Sequence, residues 1–139
     1  MAFRYVGFDG EKKSLAALRG RPVVVLVVAT WAGPAIVEVE RLRAVAEARP
    51  EQLETVILVL DEDPRMAAIF AETFGVEGVV GRVEDPETFV SERGPFGPIG
   101  VVPTSVLLDP EGRIAVRSDG PWPEGALDRA LDALLDEEE

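Results

Sequence analysis

Six consecutive apolar residues, Val23 to Val28, are the most uniform stretch of the chain. A β-branched run without polar alternation predicts a strand buried on both faces, at the centre of an α/β sheet. After Pro34 the period changes. Ala35, Val39, Leu42 and Ala46 step by four, three and four, the core stripe of a helix, while Glu38, Arg41, Glu47 and Arg49 lie largely off it. Pro34 suits the first turn of that helix and Pro50 closes it. Thr55 to Leu60 predicts a second buried strand, ended by Asp61-Glu62-Asp63.

The remaining elements carry their own punctuation. Phe3 to Phe8 alternates weakly and predicts an edge strand before the Asp9-Gly10 turn. Ser14 to Gly20 predicts one or two helical turns, with Ser14 as the cap and Gly20 as the stop. Asp63-Pro64 and Asp85-Pro86 each place a capping carboxylate before a first-turn proline, predicting helices to about Phe74 and to near Arg93-Gly94. Val79-Val80 predicts a short strand and Gly94 to Gly100 a loop. Thr104 to Leu108 and Arg113 to Arg117 predict an antiparallel pair across the turn Asp109-Pro110-Glu111-Gly112. Trp122, between two prolines, is expected to anchor a last amphipathic helix from Glu124 to Leu135, and an acidic tail follows. The order β-α-β-α-β-α-β-β-α predicts an α/β fold with a central mixed sheet flanked by helices; no linker or repeat divides residues 1–139, which read as one domain.

Composition narrows the chemistry. A hydrophobic content of 47% with 29% charged residues supports a packed core rather than disorder. The net charge of -12, from 26 acidic against 14 basic residues, disfavours nucleic acid and anionic membrane surfaces as partners. Cysteine and histidine are both absent. That excludes disulfides, thiolate catalysis, Cys or His metal sites and histidine acid–base chemistry. Asp61-Glu62-Asp63 is set aside as an oxygen-ligand metal site because Asp63 is better read as a helix cap, and no metal or cofactor is expected. Residues 1–10 have no apolar core of a signal peptide, and the run from Pro22 to Ala29 is far below the ~20 residues of a membrane helix, so a cytoplasmic location is expected.

Between the first buried strand and its helix lies Ala29-Thr30-Trp31-Ala32-Gly33-Pro34-Ala35. Strand, Trp-X-Gly-Pro-X, then helix resembles the active-site turn of the thioredoxin superfamily, whose two X positions are cysteines. Other segments resemble its TlpA-type thiol-disulfide oxidoreductase branch in the same order. They are Asp9-Gly10-Glu11-Lys12, then Leu15-Ala16-Ala17-Leu18-Arg19-Gly20-Arg21, then Val102-Pro103-Thr104 leading to Leu108-Asp109-Pro110-Glu111-Gly112. The resemblance implies a thioredoxin fold with a β-α insertion and an N-terminal extension. It puts the family cysteines at Ala32 and Ala35, with Trp31, Gly33, Pro34 and Glu38 as supporting residues and Pro103 as the cis-proline facing them. In such a site the helix N-terminus stabilises a thiolate and the second cysteine resolves the mixed disulfide. Neither thiol exists here.

Glu38 fits the Cys-X-X-Glu pattern of that branch, a carboxylate suited to tuning a buried thiol; the plain alternative is a helix-surface glutamate paired with Arg41. The chain departs from the family at Ile36, where Lys or Arg is common, at Glu40 in place of a helix proline, and at Leu26 in place of a buried polar residue. Trp31, Ala32, Ile36 and Val102, with Phe96, are therefore expected to form an exposed apolar patch, unless Ile36 packs beneath a loop. With Pro103 and Thr104 they make the expected binding surface for a protein or peptide partner. Two functions of different class follow: a redox-inactive binding module on an oxidoreductase frame, or a thiol-disulfide oxidoreductase whose two cysteines have been changed to alanine.

Overall fold

The computed structural model describes residues 4–7, 10–18, 20–29, 34–49, 51–61, 63–74 and 80–137. Seven strands and four helices are found among them: β1 (Arg4–Gly7), β2 (Lys12–Ser14), β3 (Val23–Val28), α1 (Pro34–Ala48), β4 (Glu54–Val59), α2 (Pro64–Phe74), β5 (Val80–Arg82), α3 (Pro86–Phe89), β6 (Thr104–Leu108), β7 (Ile114–Asp119) and α4 (Ala126–Glu137). A 3₁₀ turn at Leu15–Leu18 precedes β3. The strands form one sheet in the order β2-β1-β5-β4-β3-β6-β7. β3, β4 and β5 run parallel, while β6 lies antiparallel to β3 and β1 antiparallel to β5. The fold is a mixed α/β sheet, as the element order predicts.

The period of two along each strand sorts the core into two layers. Val24, Leu26 and Val28 of β3, Ile57 and Val59 of β4, and Leu107 of β6 pack with Ala35, Val39 and Leu42 of α1, Phe70 of α2 and Leu127 and Leu131 of α4. The alternate residues Val23, Val25, Val27, Val56, Leu58, Val106 and Leu108 pack with Leu15, Phe89, Phe96 and Ile99. All six residues of β3 are buried, so its unbroken apolar run reflects helices on one face and the 3₁₀ turn, α3 and the following loop on the other.

Two expected elements differ. The strand expected within Phe3–Phe8 is described over Arg4–Gly7 and is not an edge: β1 lies between β5 and β2, with Arg4 opposite Ser14 and Tyr5 opposite Lys13. Its neighbour escapes a hydrophobic reading because Lys12-Lys13-Ser14 is polar, as suits an edge strand that must not recruit others. Ser14 still caps the 3₁₀ turn, its hydroxyl accepting from the Ala16 N–H at 3.2 Å. The helix opened by Asp85-Pro86 stops at Phe89 instead of running to Arg93-Gly94. The chain folds back there, and Gly94 passes so close that a Cβ would sit 1.9 Å from the Phe89 carbonyl oxygen. A side chain at that position is incompatible with this path.

Candidate functional site

Of the residues singled out in the sequence, Thr30, Trp31, Ala32 and Gly33 lie outside the described residues. Their flanks define the place. β3 delivers Ala29 at its carboxyl end, α1 opens at Pro34, and Ala35 is buried against the core. Ile36 and Val37, on the next positions of α1, are 47% and 52% exposed, so Ile36 does not pack beneath a loop. The Val102–Pro103 peptide is cis. Because Thr104 pairs with Val27 in the antiparallel register, residues 102–103 reach the same end of β3. Thr104 itself is fully buried and its hydroxyl donates to the Val101 carbonyl at 2.6 Å. Its side chain fixes the loop and does not face a partner.

Beside this loop is an apolar groove of about 260 Å³, lined by Ala29, Leu60, Val90, Ile99, Gly100, Val101 and Val102. The loop wall is held from several sides. Arg117 of β7 donates to the carbonyls of Phe96 (2.7 Å) and Pro98 (2.6 Å), and its third nitrogen engages Asp119 at 2.6 Å. The Ile99 N–H donates to the Val90 carbonyl at 2.9 Å. Phe96 stands edge-on to Phe89 with ring centroids 5.8 Å apart. Phe96 is 5% exposed, so it supports the groove from within and is not part of a surface patch. At the base of this wall Asp85 caps α3, accepting from the Thr88 hydroxyl at 2.7 Å and the Thr88 N–H at 3.2 Å. Those bonds, the hydroxyl first, hold its carboxyl below the usual aspartate range.

Glu38 is not the surface glutamate that helix periodicity suggests. It is 2% exposed, and its partners are specific. Arg41 donates to Glu38 Oε1 at 3.1 Å and to the Trp122 carbonyl at 3.1 Å, while the Trp122 backbone N–H donates to Glu38 Oε2 at 3.3 Å. The carboxylate thus ties α1 to the segment that launches α4, one turn along the helix from the motif. The expected Arg41 pairing is present; the expected exposure is not. Trp122 is 8% exposed and packs in the same cluster as Leu127 and Leu131, the anchor its prolines suggested.

No protein-family model matches the chain, and no curated protein matches it. Solved structures do. A thiol:disulfide interchange protein of the thioredoxin family from Chlorobium tepidum is 25% identical, with 96% of this chain covering 93% of that one at a TM-score of 0.77. A DsbF homologue from Corynebacterium diphtheriae is also 25% identical, over 96% of this chain and 84% of that one, with a TM-score of 0.79. This chain has a thioredoxin fold. Its structural neighbours are thioredoxin-fold thiol-disulfide oxidoreductases, and a secreted disulfide oxidoreductase of Mycobacterium tuberculosis shares the fold at 18% identity, over 95% of this chain and 96% of that one, with a TM-score of 0.72. The thioredoxin fold here carries no cysteine at all, which fits redox inactivity.

What remains at the strand end is therefore a shaped surface with no thiol. Among the described residues no helix is long and apolar enough to cross a membrane, and no cluster of carboxylates is arranged to hold a metal. Asp63 instead engages Arg65 at 2.8 Å. Leu60, Val90 and Ile99 line the groove and Arg117 braces its wall, yet none of them carries a local motif.

Proposed function

We propose that this chain is a redox-inactive relative of TlpA-type thiol-disulfide oxidoreductases that binds an extended segment of a protein partner where those enzymes carry out exchange. The observation that carries the reading is the apolar groove against Val101 and Val102, next to Pro103 and the end of β3. Val101 at 46% exposure and Ile36 at 47% leave apolar area facing water at that end of the sheet, which suits an apolar side chain of a peptide. Trp31, Ala32, Ile36, Val102 and Pro103 are the contact residues of the proposal. Ile36, Glu40 and Leu26 favour a natural module, because removing two thiols does not require changing any of them.

Panning a displayed library of random peptides is the direct test. Enriched peptides should share an apolar anchor, bind with micromolar affinity, and lose about tenfold or more with Val101→Asp or Ile36→Arg. Ile69→Asp, at an exposed position of α2, should leave binding unchanged. An enrichment that ignores Val101→Asp and Ile36→Arg overturns the reading.

The buried Glu38 and the retained Pro103 favour the second reading, an oxidoreductase silenced at two positions. It predicts that Ala32→Cys with Ala35→Cys forms a disulfide that turns over a dithiol and a model disulfide substrate. A disulfide that forms without turnover counts against it. A cytoplasmic location belongs to the first proposal, and cell fractionation decides it.

A further inference from the structure

A second concavity lies along α1. A cleft of about 430 Å³ opens between α1 and the segment leading into α4, a volume typical of small-molecule sites. Leu26 of β3 and Ser105 of β6 lie opposite each other in the sheet and both line it. Leu42, Val45 and Leu127 add apolar wall. No cleft residue lines the groove beside Pro103, so the two sites are separate.

Its polar groups are few and unequal. Glu38 and Arg41 are engaged with each other and with the Trp122 backbone. The Trp122 indole Nε1–H is different: it is buried and has no hydrogen-bond partner among the described residues. A buried donor left unmade costs free energy that an acceptor in the cleft would recover. Around the mouth, Glu124 and Asp128 are exposed. Of the lining carboxylates, Glu38 is paired with Arg41 and Asp128 with Arg49, so Glu124 is the one left to face a ligand, in a chain of net charge -12. Glu124 and the acidic surface around it favour a cation over an anion.

We propose that this cleft binds a small amphipathic amine: an apolar body against Leu26, Leu42 and Leu127, a hydrogen-bond acceptor for Trp122 Nε1, and an ammonium toward Glu124. The inference does not depend on the peptide-binding reading. The probe is para-methoxyphenethylamine, which carries a ring, an ether oxygen and an ammonium; para-methoxyphenylpropionate is its anionic counterpart.

Titration of the ¹⁵N-labelled protein is followed at the indole N–H resonances, with Trp31→Phe assigning that of Trp122. The amine should give a saturable shift of the Trp122 signal, and the acid should bind about tenfold weaker or not at all. By calorimetry, Trp122→Phe should weaken the amine about fivefold or more and Glu124→Gln by a smaller factor. Should Trp122→Phe fail to fold, Ala44→Trp blocks the cleft from an exposed position and should abolish the shift. No saturable shift at millimolar amine, equal binding of the acid, or full binding by Ala44→Trp overturns the proposal.

Discussion

Glu38 shows how a single side chain can outlast the chemistry it resembles. Its carboxylate is held by an arginine and a backbone N–H, so both oxygens are used inside the protein. Truncation leaves the Trp122 N–H without its acceptor and removes the partner of Arg41. Arg41 is 53% exposed and water can take over its charge, which keeps the loss below that of a fully buried pair. Glu38→Ala should therefore cost about 2 kcal/mol in urea unfolding at neutral pH, and Glu38→Gln, which keeps an acceptor, about half as much. Equal stability of Glu38→Ala and wild type would mean that this tie contributes nothing. Arg117 is the corresponding residue of the groove. Its planar fork reaches two carbonyls at once, and lysine offers a point charge on one flexible stem. Arg117→Lys should weaken peptide binding several-fold with a smaller effect on global stability. Hydrogen exchange should quicken at Ile99, whose N–H bonds to the Val90 carbonyl, while β3 stays protected.

Between residue and fold, the short helix α3 and its return loop act as one unit. Gly94 is required by the approach of its backbone to Phe89, and Gly94→Ala should cost about 2 kcal/mol or more, because a backbone shift has to relieve the clash. The same variant should lose groove binding, since Phe96 and Ile99 hang from that turn. This element also shows where the sequence was readable. The run Val23 to Val28, the 3.6-residue stripe of α1, and the capped prolines at 64 and 86 state their local structure in their own chemistry. Thr104 to Gly112 does the same, through its strand and turn. The family outline rests on those pieces in order. Three features are not local. Lys12–Ser14 becomes a strand only because β1 offers it an edge. Glu38 is buried only because the Trp122 segment, distant in sequence, closes over it. Phe96 turns inward only because Phe89 and Arg117 receive its ring and its carbonyl. A hydrophobic pattern cannot report contacts made across the fold, and the groove is made almost wholly of such contacts.

Charge acts on the whole molecule in two opposed ways. Asp63, Asp85 and Asp109 all have carboxyls held below the ordinary range: Asp63 chiefly by the Arg65 side chain, Asp85 by the Thr88 hydroxyl. For Asp109 burial pulls upward, and it is outweighed by the backbone and side chain of Arg113 and the Glu111 N–H. A carboxyl with a folded pKa below its unfolded value stabilises the fold fully above about pH 4, the unfolded aspartate value, and loses that contribution as pH falls through the folded pKa. Stability should thus decline below about pH 4, and the side-chain carboxyl signals of these three residues should titrate below the ordinary aspartate range. At neutral pH the other effect rules. The excess of 26 acidic over 14 basic residues repels itself, whereas the ion pairs are mostly at exposed side chains such as Arg113 with Glu111, where each is worth little. Added salt screens both, but the net repulsion is summed over the whole surface and the pairs are individually weak. Raising potassium chloride from about 0.05 to 0.5 M at pH 7 should therefore raise the melting temperature by a few degrees, a change of about 1 kcal/mol for a chain of this size. Calorimetric melts across that series decide the matter. A melting temperature that falls with salt would mean that the paired charges, Arg49 with Asp128 and Asp132 foremost, outweigh the excess of carboxylates.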